Sequence, residues 1–103
     1  MNRYLNEIAL THGLDAQLEQ TVEECSELIL AIQKYKRHGK KDDGFDTYYL
    51  AHIGEEIVDV EIMVDQLKIL IEGFDFDRFR GHQIERELAR MKERKSKNVD
   101  MVR

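Results

Sequence analysis

Residues 23–28, Glu-Glu-Cys-Ser-Glu-Leu, and residues 55–60, Glu-Glu-Ile-Val-Asp-Val, carry the same acidic pattern and decide how this chain folds. The 24/59 pair and the 27/56 pair share one sequence midpoint, between residues 41 and 42. That midpoint lies in the loop-forming stretch 39–44, Gly-Lys-Lys-Asp-Asp-Gly. If two helices fold back on each other at this loop, the two acidic clusters come level. The sequence therefore predicts an antiparallel pair of helices with facing carboxylates.

The segments on either side of the loop have helical periodicity with apolar residues on two faces. We expect the second helix to run from an N-cap at Asp15 to about Arg37, and the third from about Asp46 or Thr47 to Ile71. The second helix carries a main apolar stripe, named here the 18–32 stripe, and a second stripe on another side. Two apolar faces on the helices of so short a chain favour burial against a second subunit. The 18–32 stripe comprises Leu18, Val22, Cys25, Ile29 and Ile32, and the second stripe comprises Leu28, Ala31 and Tyr35.

Two further helices complete the expected fold. A short first helix spans about residues 2–11, and a fourth runs to about Lys97 from an N-cap at Asp75 or Asp77. The 103 residues include no proline, which favours long uninterrupted helices. We therefore predict an all-α fold in a single domain, residues 1–103, with two long antiparallel helices at its centre.

The charge and the cysteine content restrict the classes of function. The net charge of −5 argues against stable nucleic-acid or membrane binding by the whole chain. Cys25 is the only cysteine, so there is no intrachain disulfide, and we interpret it as a small core residue. The amino terminus lacks the apolar run of a signal peptide, and no stretch has the ~18 apolar residues of a membrane span. We expect a soluble, cytoplasmic protein.

Four carboxylates that converge between two helices repel one another unless a cation joins them. Hard oxygen ligands suit magnesium, manganese or calcium better than zinc or copper. The alternative is that these acids only solvate the outside of the helices. Neither cluster, however, has a lysine or arginine within one helical turn, and the third-helix acids border its apolar stripe. The pattern therefore favours a divalent-metal site, and its four candidate ligands are Glu24, Glu27, Glu56 and Asp59.

The two acidic motifs resemble the signature of the MazG-like, all-α nucleoside triphosphate pyrophosphohydrolases, over roughly residues 15–98. The resemblance implies a helical bundle of the all-α nucleoside triphosphate pyrophosphatase type, completed by oligomerisation as a homodimer or homotetramer. It implies that Glu24, Glu27, Glu56 and Asp59 bind magnesium, with manganese as an alternative, and that Glu23 activates the attacking water. Members of the family carry basic residues shortly before an asparagine. Arg94, Lys95 and Lys97 match those basic residues and Asn98 matches the asparagine, so these four are candidate contacts for the substrate phosphates. The Arg-Tyr-Pro that follows in the family is missing here.

The resemblance implies cleavage of a nucleoside triphosphate between its α and β phosphates, giving the monophosphate and pyrophosphate. A non-catalytic helical oligomer that serves as an interaction or regulatory module is the alternative function. The four histidines are not spaced in the sequence as the ligands of a metal site would be. His52 nevertheless lies one helical turn before Glu56. Tyr35, Tyr48 and Tyr49 are candidates for stacking on a nucleobase.

Overall fold

The computed structural model of the protein describes residues 3–39 and 47–102. Residues 40–44 of the predicted loop at 39–44 lie outside the described residues. In the described ranges the chain forms four α-helices and no strand, which confirms the all-α prediction. The helices are α1 (Arg3–His12), α2 (Leu14–Lys34), α3 (Thr47–Leu70) and α4 (Phe76–Val102), and a π-helical turn, Tyr35–Gly39, continues α2.

The chain divides into two compact units, residues 1–72 and residues 73–103. The first unit holds α1, α2 and α3, and the second holds α4; each is described by itself below. None of the described helices combines the length and the apolar character that a bilayer crossing requires.

Gly13 joins α1 to α2 in a single residue. Its φ of 86° is a left-handed conformation that glycine adopts readily, and its backbone N–H donates to the carbonyl of Ala9 at 2.9 Å. The Gly13 carbonyl then accepts from the N–H of Gln17 at 3.1 Å and so begins α2. The prediction of an N-cap at Asp15 is therefore wrong, because the turn at Gly13 starts the helix earlier. Asp15 lies in the first turn, where its charge favours the positive end of the helix dipole.

The contact between α2 and α3 is antiparallel and contains a buried polar pair. Gln17 near the start of α2 donates from Nε2 to Oε1 of Gln66 near the end of α3, at 2.6 Å. Both side chains are buried, as are Ala31 on α2 and Met63 on α3. The sequence midpoint of the Gln17–Gln66 pair falls between residues 41 and 42, as it does for Glu27 and Glu56. The helices thus pair in the register that the acidic motifs predict.

The 18–32 stripe is not the face of α2 that packs against α3. Within the chain, Val22 is 66% exposed and Ile29 is 60% exposed, and Cys25 is half-buried rather than part of the core. The face that includes Gln17 and Ala31 is buried instead. Apolar periodicity identified two faces of α2 but could not show which one packs against α3. The face that does so is marked by a buried glutamine, which a count of apolar residues does not register. The expectation that Cys25 is a core residue is therefore not met in the single chain.

The fourth helix begins at a side-chain cap, and its residues are exposed from Asp77 to Asn98. Asp75 Oδ1 accepts a hydrogen bond from the backbone N–H of Arg78 at 3.0 Å, which selects Asp75 from the two predicted caps. Ring contacts of Phe74 with Phe76 and with Phe79, at 4.9 and 5.6 Å between centroids, surround this start. The helix continues to Val102, beyond the predicted end near Lys97.

We expect the buried glutamine pair to be energetically coupled. Replacing Gln17 by Leu leaves the buried Oε1 of Gln66 without its donor and should destabilise the protein by about 1–3 kcal/mol in urea denaturation. The double variant Gln17→Leu/Gln66→Leu removes both partners and should lose clearly less than the sum of the two single variants. Gln33→Leu, an exposed change on α2, serves as the control and should stay within about 0.5 kcal/mol of the parent. Additive losses in the double variant would contradict the coupling.

Candidate functional site

Three carboxylates meet in the middle of the α2–α3 contact. Glu24 and Glu27 lie three residues apart on α2 and therefore share one side of that helix. Glu56 approaches from α3, and one carboxylate oxygen from each of the three residues lies within 4.8 Å of the others. We refer to Glu24, Glu27 and Glu56 as the carboxylate triad. The structure thus brings together three of the four predicted metal ligands.

The triad holds two buried oxygens without a hydrogen-bond partner, Glu24 Oε2 and Glu56 Oε2. The Glu56 side chain is only 12% exposed, Glu24 is half-buried and Glu27 is exposed. Each of the two buried carboxylates has a neighbour for its other oxygen. Gln20 Nε2 donates to Glu24 Oε1 at 3.1 Å, and His52 Nε2 lies 4.0 Å from Glu56 Oε1. Buried polar atoms in proteins are nearly always paired, so two orphaned oxygens that belong to one cluster require an explanation.

The electrostatics of the triad are repulsive. The charge of Glu24, and secondarily that of Glu56, raises the pKa of the Glu27 carboxyl above its ordinary value, and desolvation acts in the same direction. The proximity of like charges is the largest cause of the raised pKa, since Glu27 itself is exposed. In the absence of a cation, the triad therefore opposes the α2–α3 contact that creates it.

The other two predicted acidic residues lie beside the triad. Asp59 is one turn beyond Glu56 on α3; it is exposed, and its oxygens are not among those grouped within 4.8 Å. Glu23 precedes Glu24 on α2 and is also exposed. The fourth-ligand role of Asp59 and the water-activating role of Glu23 stay predictions.

The predicted phosphate-binding residues lie on α4, in the second unit. Arg94 donates to Glu87 Oε1 at 3.0 Å, and Lys97 lies 3.7 Å from Glu93 Oε1. Lys95 and Asn98 are exposed on the same helix. Two of the four residues therefore have acidic partners within their own helix, and the phosphate role of all four stays a prediction.

Sequence reasoning missed a cavity near the triad. Lys34 and His38, which lie at the end of α2 and in the π turn, line it together with three residues from the start of α3: Tyr48, Tyr49 and His52. Tyr48 and Tyr49 were predicted as stacking candidates, but Lys34 and His38 were not identified. The antiparallel register could have predicted this cavity. Residues 34 and 49 share the sequence midpoint of the acidic pairs, so the register places Lys34 level with Tyr49.

Comparison of the chain with models of protein families, with curated proteins and with solved structures gives no match.

Removing one charge from the triad should stabilise the metal-free protein. Glu27→Gln keeps the size of the side chain but abolishes the repulsion from Glu24 and Glu56, so in EDTA the melting temperature should rise by about 1–3 °C. The control is Glu85→Gln, which removes an exposed carboxylate on α4 that has no acidic residue three or four positions away, and it should leave the melting temperature unchanged. Differential scanning calorimetry at neutral pH measures both variants. A lower melting temperature for Glu27→Gln would show that this carboxylate stabilises the metal-free fold, contrary to the account.

Proposed function

We propose that the protein is a magnesium-dependent nucleoside triphosphate pyrophosphohydrolase that releases the nucleoside monophosphate and pyrophosphate. The observation that carries the proposal is the carboxylate triad with its two buried, unpartnered oxygens, Glu24 Oε2 and Glu56 Oε2. The resemblance of residues 23–28 and 55–60 to the acidic motifs of MazG-like enzymes connects this cluster to phosphate chemistry.

The residues present fit a hard divalent cation. Carboxylate oxygens are the ligands that Mg²⁺ and Mn²⁺ prefer, and a cation would give Glu24 Oε2 and Glu56 Oε2 the partner that they lack. It would also neutralise the repulsion that raises the pKa of Glu27. Glu24, Glu27 and Glu56 would hold the ion, with Asp59 from the next turn of α3 as the fourth ligand. When bound, the ion neutralises phosphate oxygens and lowers the pKa of a coordinated water.

The remaining steps fall to the chain's own side chains. Glu23 accepts the proton of the attacking water as the water oxygen bonds to phosphorus and the bridging bond between the α and β phosphates breaks. Pyrophosphate leaves with additional negative charge. On the resemblance alone, we assign the stabilisation of that charge to Arg94, Lys95, Lys97 and Asn98. Because Arg94 and Lys97 pair with acids on α4, each must exchange that partner for the phosphate.

The proposed assembly is a homodimer or homotetramer of this all-α bundle. Its support is the apolar surface that the single chain leaves uncovered on α2. In the 18–32 stripe, Leu18 and Ile32 are 41% and 39% exposed, and Val22 and Ile29 are more exposed still. These residues follow one another at helical spacing, so they form one continuous face. Contiguous exposed apolar surface of this kind is typical of a subunit interface, and a second copy of the chain offers the same face in return.

The activity prediction is tested with a panel of nucleoside triphosphates and magnesium, with pyrophosphate and orthophosphate measured separately. The parent chain should release pyrophosphate and lose this activity in EDTA. Glu27→Gln, which removes a ligand charge, should reduce the rate by more than about 100-fold, whereas the control Glu85→Gln should keep it. Orthophosphate release would indicate a different phosphohydrolase. No release of either product would favour the non-catalytic module.

The assembly prediction is tested by light scattering coupled to size-exclusion chromatography. The parent chain should elute with the mass of a dimer or tetramer, and Ile29→Glu should lower that mass by placing a charge in the apolar face. Leu10→Glu is the control: Leu10 is 70% exposed on α1, outside the 18–32 stripe, and its replacement should leave the mass unchanged. A monomeric parent would contradict the proposed assembly.

A further inference from the structure

The cavity near the carboxylate triad has the size and the walls of a ligand site. Its volume is about 300 Å³, at the lower end of the range for small-molecule pockets. Lys34 and His38 line it from the end of α2 and the turn that follows, and Tyr48, Tyr49 and His52 line it from the start of α3. None of these five side chains is a carboxylate, in contrast to the triad. The α2–α3 contact is therefore acidic at the triad and rich in hydrogen-bond donors at the neighbouring cavity.

His52 connects the cavity to the triad. Its ring lines the cavity, and its Nε2 lies 4.0 Å from Glu56 Oε1. On α2, Lys34 follows Glu27 by seven residues, which returns it to the same side of the helix about 10 Å further along. A nucleotide spans a distance of this order between its phosphates and its base. A ligand with its phosphates at the triad can therefore place its base in the cavity.

The aromatic walls suit a planar ring. Tyr48 and Tyr49 meet edge to face with their centroids 5.3 Å apart, and the His38 ring lies 6.2 Å from that of Tyr49 at an angle of 33°. These contacts orient Tyr49, which is half-buried. Bases stack on aromatic side chains of this kind irrespective of their identity. The rings therefore provide affinity for a base but do not distinguish one base from another.

Lys34 supplies the element that can discriminate between bases. Its ammonium group only donates hydrogen bonds, while tyrosine and histidine can donate or accept. A ligand edge opposite Lys34 must therefore present an acceptor. Uracil, thymine and guanine carry a carbonyl oxygen where cytosine and adenine carry an amino group, and the amino group would place donor against donor.

We propose that this cavity holds the base of the nucleotide and that Lys34 selects bases with a carbonyl oxygen over those with an amino group at the same position. The inference rests on the proposed function, because it identifies the other half of the same substrate. A phosphate oxygen offers Lys34 the same acceptor chemistry. The aromatic rings around the cavity favour the base as the occupant.

The test measures binding of UMP and CMP, which differ in the base alone, by isothermal titration calorimetry with magnesium present. The parent chain should bind UMP at least about tenfold more tightly than CMP, since a hydrogen bond to a charged donor accounts for a factor of this order. Lys34→Met should weaken UMP binding to the CMP level and leave CMP binding within about twofold. Lys34→Arg, which restores a charged donor, should recover the preference. Lys36→Met removes an exposed lysine that does not line the cavity and should behave as the parent does.

Three outcomes would overturn the inference. These are equal affinity of the parent for UMP and CMP, no detectable binding of either, and an equal loss of both in Lys34→Met. Titration with inorganic pyrophosphate identifies the last case, because a phosphate contact by Lys34 would weaken pyrophosphate binding as well. Circular dichroism confirms that each variant is folded, and Lys34→Gln replaces Lys34→Met if the latter is not.

The same experiment separates this inference from the proposed hydrolysis, because binding of a monophosphate requires no turnover. A UMP preference that depends on Lys34 in a protein that releases no pyrophosphate would support the base site and contradict the enzyme. Pyrophosphate release without a base preference would do the reverse.

Discussion

The antiparallel contact between α2 and α3 is the constraint on which the rest of the first unit depends, and much of this contact is polar. The Gln17–Gln66 hydrogen bond lies near one end, the carboxylate triad lies in the middle, and the cavity with Lys34 lies at the other end. A slip of one helical turn, about 5.4 Å, would break the glutamine bond and separate the carboxylates at once. The buried glutamines therefore fix the register in which the site is assembled.

The triad has opposite effects on folding and on the proposed binding. Glu24 and Glu56 place unpartnered oxygens in a half-buried position and raise the pKa of Glu27, so the cluster disfavours the metal-free fold. The proposed cation would reverse the sign of this contribution, because it would stabilise the folded state through the same oxygens. The repulsion within the triad is therefore a cost to the metal-free fold that the proposed cation would remove.

Part of this arrangement follows from the sequence, because sequence spacing and helical geometry determine it. The shared midpoint of the acidic motifs predicted both the antiparallel pairing and the meeting of Glu27 with Glu56, and helical periodicity predicted four helices. Other features depend on which of two alternatives the fold adopts. Gly13, and not Asp15, starts α2, because a backbone turn at glycine outweighs a side-chain cap. The role of the 18–32 stripe could not be predicted either, since periodicity does not show which of two apolar faces is buried within the single chain. The cavity was not predicted because Lys34 and His38 belong to no recognisable motif. They form a candidate site only because the fold brings them to the same cavity as Tyr49 and His52.

The central claim is that the carboxylate triad binds a divalent cation between α2 and α3. The most direct measurement is the anomalous diffraction of crystals grown with Mn²⁺, which replaces Mg²⁺ at oxygen sites and can be located by its own signal. The account predicts an anomalous peak bonded to one oxygen each from Glu24, Glu27 and Glu56, with Glu24 Oε2 and Glu56 Oε2 no longer unpartnered. Crystals with saturating Mn²⁺ that show no peak between these residues, or carboxylates turned outward into solvent, would contradict it.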